Sequence, residues 1–201
     1  EGVGLHTGDP VRLRFLPAPA GSGIRFRRSD LEDAPEIPAT LENVAATDRN
    51  TTLAAGDARV ATVEHLLAAV TACGIDTLIL DIDAGEVPIG DGSFAPFFDV
   101  LRAAGVQKQG TPARVLELTE AVRAAGPAGA TYVAVPDDAY RIATTIEFSH
   151  PLIRRQFGAY TVTADEFAAE LSGARTFGFL KDAEALRERG LVKGVSLENA
   201  V

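Results

Sequence analysis

Residues 61–83, ATVEHLLAAVTACGIDTLILDID, combine the pattern of a helix with that of a strand. Four apolar residues recur at the i, i+3, i+4, i+7 spacing of one helix face: Val63, Leu66, Leu67 and Val70. Thr62 is placed to cap this helix, and Gly74 is placed to end it. Residues 77–83, TLILDID, then carry four large apolar side chains within a short segment. The stretch predicts an amphipathic helix followed by a buried strand.

Further strands and a second helix flank this stretch. Residues 11–15 (VRLRF) and 24–28 (IRFRR) alternate apolar and charged side chains, and LPAPAGSG between them predicts a turn. We therefore expect these two strands to pair. Residues 48–60 can hold a hairpin that turns at Gly56–Asp57. Residues 96–105 (PFFDVLRAAG) predict a second amphipathic helix that ends in a glycine.

The second half of the chain repeats the order of strands followed by helices. QKQGTP, 107–112, contains no apolar residue and predicts a domain boundary, which divides the chain into residues 1–110 and 111–201. Beyond it, three segments are strand-like: 115–122, 131–136 and 140–148, with PDDAY as the turn between the last two. Thr163 and Glu166 form a capping box, and residues 181–190 predict a further helix. This order predicts an α+β fold with two domains, each a small sheet layered with helices.

Composition excludes several classes of protein. Of the residues, 46% are hydrophobic and 23% are charged, which is typical of an ordinary globular chain. The net charge of −9 disfavours nucleic acid and anionic membranes as partners. Cys73 is the single cysteine, so there is no intrachain disulfide framework, and we expect a cytoplasmic protein. Asp76 interrupts the longest apolar run, so no transmembrane segment is predicted.

The ends of the sequence lack the usual signals. The chain begins with Glu1, contains no methionine and has no secretion signal in EGVGLHTG. We therefore expect it to be a segment of a longer protein.

Glu64 and His65 are the residues most suited to chemistry. Both lie off the apolar stripe in the first helical turn, where the helix dipole favours an anionic Glu and disfavours a cationic His. A neutral imidazole can bind a metal ion, and an ionised carboxylate can act as a general base. The alternative is an acidic first turn beside an exposed or satisfied histidine, which is the commoner arrangement.

The remaining polar candidates give weaker signals. His6 and His150 could join His65 in a zinc site, but no pair has the i, i+4 spacing of helical zinc motifs. Cys73 is expected in the core. IGDGS, 89–93, predicts a tight turn in which Asp91 caps or orients a neighbour. GARTFGF, 173–179, offers a hydroxyl and aromatic rings from a flexible backbone, or else a core strand.

Taken together, the motifs resemble one family over essentially the whole chain. In order they are EGVGLHTG, TVEHLLAAV, GIDTLILDI, EVPIGDGSFAPF, EFSHP and ARTFGFLKD. They are similar to those of the zinc-dependent UDP-3-O-acyl-N-acetylglucosamine deacetylases of bacterial lipid A synthesis. The resemblance implies a cytoplasmic hydrolase that removes acetate from an acylated UDP-sugar. It also implies two α+β domains packed face to face around the active site.

The resemblance also implies roles for individual residues. Glu64 would be the general base, His65 a ligand of the Zn²⁺ cofactor, and Thr176 a hydrogen-bond donor to the oxyanion. Phe177 would form a wall of the site, Phe148 would contact the uridine, and Asp91 is a possible supporting residue. LKDAEALRERGLVKGVSL corresponds to a strand-helix-strand insert from about residue 179 that lines an acyl tunnel. Its predicted lining residues are Ala183, Leu186, Val192 and Leu197.

The sequence departs from the family pattern in one respect. The remaining zinc ligands in the family are a His and an Asp four residues later, and none follows ARTFGF here. We expect the longer protein to be active as a monomer and these 201 residues alone to be inactive. The alternative is a non-catalytic module of the same fold that binds a nucleotide-sugar or a protein.

Overall fold

The computed structural model describes residues 1–201, except for the side chains of residues 128 and 181. The strands are β1 (Gly2–Val3), β2 (Pro10–Val11), β3 (Leu13–Leu16), β4 (Ile24–Arg28), β5 (Glu36–Pro38), β6 (Val44–Ala46), β7 (Thr52–Ala55), β8 (Ala58–Val60), β9 (Leu78–Ile82), β10 (Val122–Ala125), β11 (Thr131–Ala134), β12 (Arg141–Glu147) and β13 (Arg155–Thr161). The α-helices are α1 (Glu64–Ala72), α2 (Ala95–Ala104), α3 (Ala164–Glu166) and α4 (Leu180–Glu188), with 3₁₀ turns at Leu41–Asn43 and Pro127–Gly129 and a π-helical turn at Phe167–Leu171. These elements confirm the α+β class.

A four-stranded sheet in the order β3-β9-β4-β5 forms the base of the first half. Strand β9 lies at its centre, antiparallel to β3 and parallel to β4, and all five of its residues are buried. The predicted pairing of residues 11–15 with 24–28 is therefore wrong. A strand that is apolar at nearly every position is covered on both faces, and β9 takes the central place between the two amphipathic strands.

Strands β6, β7 and β8 form a second, three-stranded antiparallel sheet. The predicted hairpin at Gly56–Asp57 is confirmed, because β7 and β8 pair directly across it. Gly56 has φ of +56°, a left-handed conformation that glycine adopts without steric cost.

Helix α1 starts at Glu64 with Val63 at the N-cap position, so the prediction that Thr62 caps it is wrong. The Thr62 hydroxyl instead donates a hydrogen bond to Glu86. The predicted end is confirmed, because Gly74 has φ of +67° and donates its N–H to the Thr71 carbonyl. Ile75 then donates to the Val70 carbonyl, which completes a Schellman motif.

Helices α1 and α2 pack together over the four-stranded sheet and enclose the core. Helix α2 ends at Gly105 as predicted. The core includes large side chains from both helices and from the sheet: Phe26, Ile37, Leu66, Val70, Leu80, Ile82, Phe97, Phe98 and Leu101. This packing holds the N-terminal end of α1, with Glu64 and His65, against the loop that precedes α2.

In the second half, β10 pairs with β11 and β12 pairs with β13, as two separate antiparallel hairpins. Most of their residues are exposed. The predicted strand at 115–122 is wrong except at Val122, since the rest of that segment is irregular. The division into domains at residues 110 and 111 stays a prediction.

The helices of the second half follow the sequence signals. Thr163 caps α3 by accepting a hydrogen bond from the Glu166 backbone N–H at 3.1 Å. Helix α4 ends before Gly190, which has φ of +79°. The strands expected on both sides of α4 do not form in the described part of the chain. Among the described residues, none of the helices has both the length and the hydropathy that a membrane span needs.

Candidate active site

Glu64 and His65 lie side by side in the first turn of α1, as predicted. The Oε2 atom of Glu64 accepts a hydrogen bond from the Thr51 backbone N–H at 3.0 Å. The Thr51 carbonyl in turn accepts a hydrogen bond from the Val63 N–H at 3.3 Å. The start of the helix and the carboxylate are therefore both held by the segment that enters β7.

His65 is partly enclosed by aromatic and apolar groups. Its ring centroid lies 5.1 Å from that of Phe94, and its Nδ1 atom is buried with no hydrogen-bond partner among the described residues. Burial lowers the pKa of His65 below its ordinary value, and the neighbouring Glu64 carboxylate opposes this shift only in part. The structure therefore favours the neutral imidazole, which is the form that binds metal ions.

The loop before α2 is the tight turn that the sequence predicts. Asp91 Oδ1 accepts hydrogen bonds from the backbone N–H and the hydroxyl of Ser93, at 3.0 and 2.7 Å. Burial raises the pKa of Asp91, but the Ser93 hydrogen bonds and nearby Arg175 outweigh it, so the pKa lies below its usual value. The hydrogen bonds of Asp91 thus order the turn next to Phe94.

The ARTFGF segment is irregular and packs against this turn, so the alternative of a core strand at 173–179 does not form. The Thr176 N–H donates to the Gly92 carbonyl at 2.8 Å, and Arg175 Nε donates to the Asp91 carbonyl at 2.8 Å. Thr176 therefore lies beside the loop whose Phe94 ring contacts His65. No hydrogen bond among the described residues joins Thr176 to Glu64 or His65 directly.

Phe148, predicted to contact the uridine, and Phe177, predicted to form a wall of the site, lie together with ring centroids 5.5 Å apart. Phe179 lies 5.9 Å from Phe148 and 5.5 Å from His150. A cleft of about 380 Å³ opens beside these rings, lined by Phe148, Ser149, His150, Phe179 and Leu180. Aromatic faces at such a cleft can stack on a planar base.

The four residues predicted to line an acyl tunnel differ in their exposure to solvent. Ala183 and Leu186 are half-buried on α4, and Val192 is buried with φ of +51°. Leu197 is 91% exposed. The role of these four residues in lining a tunnel stays a prediction.

The three histidines are dispersed. His6 is buried with both ring nitrogens unpartnered among the described residues, and His150 Nδ1 accepts the Leu152 N–H at 3.3 Å. No group of three or more His, Cys, Asp or Glu side chains in the described part of the chain could hold a metal ion. The three-histidine site that the sequence left open does not form there. Cys73 is half-buried against the core, and burial raises the pKa of its thiol.

A larger cleft of about 690 Å³ lies away from these residues. It is lined by the C-terminal ends of α1 and α2 and by the predicted domain boundary, including Gly74, Leu101 and Lys108. Glu64 is at the opposite end of α1 from this cleft. The nine residues of the helix, about 13 Å long at 1.5 Å per residue, separate the two. The lining of this larger cleft contains none of the residues singled out for chemistry, so the size of a cleft alone does not locate the candidate site.

Glu86 is a structurally central residue that sequence reasoning missed. It is buried, and its carboxylate accepts hydrogen bonds from both His6 and Thr62. In the sequence, Glu86 is a single acidic residue between a loop and an apolar segment, so no spacing of residues predicts its role. Only the tertiary structure shows what it contacts.

Comparison with known proteins identifies the family. The family model described as UDP-3-O-acyl N-acetylglycosamine deacetylase matches residues 1–201. Proteins named UDP-3-O-acyl-N-acetylglucosamine deacetylase match all of the chain in Bdellovibrio bacteriovorus (41% identity, 66% of that protein), Myxococcus xanthus (46%, 64%) and Brucella melitensis (44%, 70%). The chain thus spans about two thirds of the length of these curated relatives. The chain belongs to the UDP-3-O-acyl N-acetylglycosamine deacetylase family.

Proposed function

We propose that this chain forms part of a zinc-dependent hydrolase that removes the N-acetyl group from UDP-3-O-acyl-N-acetylglucosamine in bacterial lipid A synthesis. The observation that carries the proposal is the Glu64–His65 pair at the start of α1. It places a carboxylate next to an imidazole whose pKa burial lowers, which favours the neutral form. The names of the relatives supply the substrate class.

His65 suits the role of a metal ligand. A buried imidazole nitrogen without a hydrogen-bond partner costs free energy unless another group satisfies it, and a metal ion is such a group. When bound, zinc would lower the pKa of a coordinated water to about 7 and polarise the acetyl carbonyl. His65 combines this environment with a carboxylate next to it in the first turn of the same helix, that of Glu64.

Glu64 is proposed as the general base. Its Oε2 atom is held by the Thr51 N–H, and its Oε1 atom accepts no hydrogen bond from the described residues. A carboxylate fixed on one side and open on the other can take a proton from an attacking water. The Thr176 hydroxyl is proposed to donate a hydrogen bond to the oxyanion that forms on the acetyl carbonyl.

Binding of the rest of the substrate is proposed from the surrounding segments. Phe148 would contact the uridine and Phe177 would close the site beside it, since their rings form one aromatic cluster. The acyl chain would contact α4 and the residues after it, where Ala183, Leu186, Val192 and Leu197 supply apolar side chains. Each buried CH₂ of that chain contributes roughly 0.8 kcal/mol.

The test uses the protein at the full length of its relatives. Glu64→Gln should reduce deacetylation by several orders of magnitude and leave the zinc content unchanged, because the carboxylate is lost and the ligand is kept. His65→Ala should lose the zinc as well as the turnover. Glu166→Gln is the matched control, because it makes the same change in the first turn of α3. Unchanged turnover in Glu64→Gln would exclude the proposed base.

The same measurements separate the enzyme from a binding module. A wild-type protein that binds the UDP-sugar in a calorimeter but releases no acetate would be a non-catalytic module of the same fold. For residues 1–201 alone we expect no turnover and only weak zinc binding, because the described residues hold no group of three ligands. Stoichiometric zinc with acetate release from residues 1–201 would contradict that expectation.

A further inference from the structure

The carboxylate of Glu86 is only 1% exposed and is surrounded by hydrogen-bond donors. Its Oε2 atom accepts from the N–H and the hydroxyl of Thr7, both at 2.9 Å. Its Oε1 atom accepts from the His6 N–H at 3.0 Å and from the Thr62 hydroxyl at 2.8 Å. No Lys or Arg side chain among the described residues pairs with it. A buried carboxylate without a cation is tolerated only where donors satisfy it in this way.

One side of this network fixes the backbone that enters α1. Thr62 is buried at φ of +59°, a left-handed conformation that is strained for a β-branched residue and persists only where the surroundings enforce it. Ala61, the preceding residue, is held by two backbone hydrogen bonds. Its N–H donates to the Gly85 carbonyl, and its carbonyl accepts from the Val87 N–H. Residues 85–87 therefore determine the direction in which the helix with Glu64 and His65 begins.

The other side of the network fixes a loop, residues 4–8, against which a distant segment packs. A Cβ atom at Gly4 would collide with Glu86 Oε2, so the close approach requires glycine there. The Lys193 N–H donates to the His6 carbonyl at 3.2 Å. The Gly194 N–H donates to the Leu5 carbonyl at 3.0 Å. The segment that follows α4 thus contacts the loop that Glu86 holds.

We propose that Glu86 is a positioning residue that sets the start of α1 through the Thr62 hydroxyl and ties it to the loop at residues 4–8. Because the same loop receives residues 193 and 194, Glu86 links that segment to Glu64 and His65. Glu86 does not contact the reacting groups. The inference rests on the proposed function only in its expectation for turnover.

The test removes the one hydrogen bond between the Glu86 side chain and the entry to α1, and leaves the two backbone bonds of Ala61 in place. Glu86→Ala would leave four donors, those of His6 and Thr62 buried, without their acceptor and is expected to fold poorly, so Thr62→Val is the informative variant. Valine has the shape of threonine and keeps the strain at this position, but it cannot donate the hydrogen bond. Thr62→Ser restores the hydroxyl. Thr71→Val is the matched control, because Thr71 is exposed at the other end of α1.

Amide hydrogen exchange reports the position of the helix start without reference to activity. The Leu67 N–H bonds to the Val63 carbonyl, and the Thr51 N–H bonds to Glu64. In Thr62→Val both amides should exchange at least about tenfold faster, while Thr62→Ser and Thr71→Val stay near the wild type. Wild-type exchange at both amides in Thr62→Val would overturn the inference.

Turnover of the full-length protein supplies the second measurement. Thr62→Val should lower kcat at least about tenfold with little change in KM, because misplaced catalytic groups slow the chemical step more than binding. Faster exchange with unchanged kcat, or an equal loss in Thr62→Ser, would overturn the positioning role. A wild type without turnover would refute the proposed function alone, and the exchange rates would still decide the inference.

Discussion

Replacing Phe167 by alanine should destabilise the chain strongly, because this ring connects the second half to the core beside the candidate site. Phe167 is 4% exposed, and its centroid lies 5.0 Å from that of Phe98 on α2 and 5.6 Å from that of Phe94. Truncation of a buried phenylalanine costs about 3–5 kcal/mol. Two tilted or edge-on ring contacts place the expected loss near the middle of that range, at about 4 kcal/mol.

The assay is urea unfolding followed by far-UV circular dichroism, since the chain contains no tryptophan. Phe167→Leu keeps most of the volume and should cost less than about 1.5 kcal/mol. Phe157→Ala is the matched control, because Phe157 is 71% exposed and its truncation should change stability by about 0.5 kcal/mol or less. Equal, small losses in Phe167→Ala and Phe157→Ala would refute the packing of residues 164–171 on α2.

Phe167→Ala should also change the environment of the His65 ring, because Phe94 contacts both. Phe94 lies between the two, with centroids 5.1 Å from His65 and 5.6 Å from Phe167. Loss of the Phe167 ring should let water reach the imidazole, so the pKa of His65 should rise towards its ordinary value. A titration of the His65 ring proton by NMR in zinc-free protein measures this. An unchanged pKa in a folded Phe167→Ala protein would show that Phe94 does not depend on Phe167.

Three further predictions address pH, a loop and the acyl segment. Burial lowers the pKa of His65, so the unfolded chain takes up a proton near pH 6.5 before the folded chain does; stability of the zinc-free protein should fall as the pH drops through 6.5 and below. As the pH falls, the urea midpoint should therefore decline less in His65→Gln than in the wild type. Equal slopes of midpoint against pH in the two proteins would contradict this. Gly92→Ala should cost more than about 2 kcal/mol in the same assay, since Gly92 has φ of +84° and the new Cβ would overlap the Asn199 carbonyl. Gly105→Ala, which also has a positive φ of +77° but open space around the new Cβ, should cost less than Gly92→Ala. Ala183→Leu in the full-length protein should shift turnover towards shorter acyl chains, and identical rates across chain lengths would remove Ala183 from the proposed lining.

Elements that depend on local signals could be predicted from the sequence. Gly74 and Gly105 mark the ends of α1 and α2 because the chain leaves both helices at a positive φ, +67° and +77°, which favours glycine wherever the helix packs. The hairpin at Gly56–Asp57 and the Thr163 cap follow from the same short-range chemistry. Glu64 and His65 lie where the pattern of α1 places them, since a first turn is fixed once the helix boundary is known.

Features that depend on distant partners could not be predicted. Thr62 is a residue type that commonly caps helices, but its hydroxyl donates to Glu86, 24 residues away. The residue type before the helix therefore predicted the wrong role. The strands at Leu13–Leu16 and Ile24–Arg28 have matching patterns and a turn between them, yet β9 inserts between them. The neutral state of His65 was expected from the helix dipole, whereas the structure adds burial beside Phe94 as its cause.

The candidate site is held mainly by backbone groups and buried side chains. Glu64 is fixed by the Thr51 N–H, the entry to α1 by residues 85–87, and Thr176 by the Gly92 carbonyl. Among the substitutions only proline removes a backbone N–H, so such contacts survive most single changes nearby. Buried side chains such as Thr62 and Phe167 are the points at which one substitution can move the site. Substitutions there should therefore affect the placement of Glu64 and His65 more than changes among the exposed charges around them.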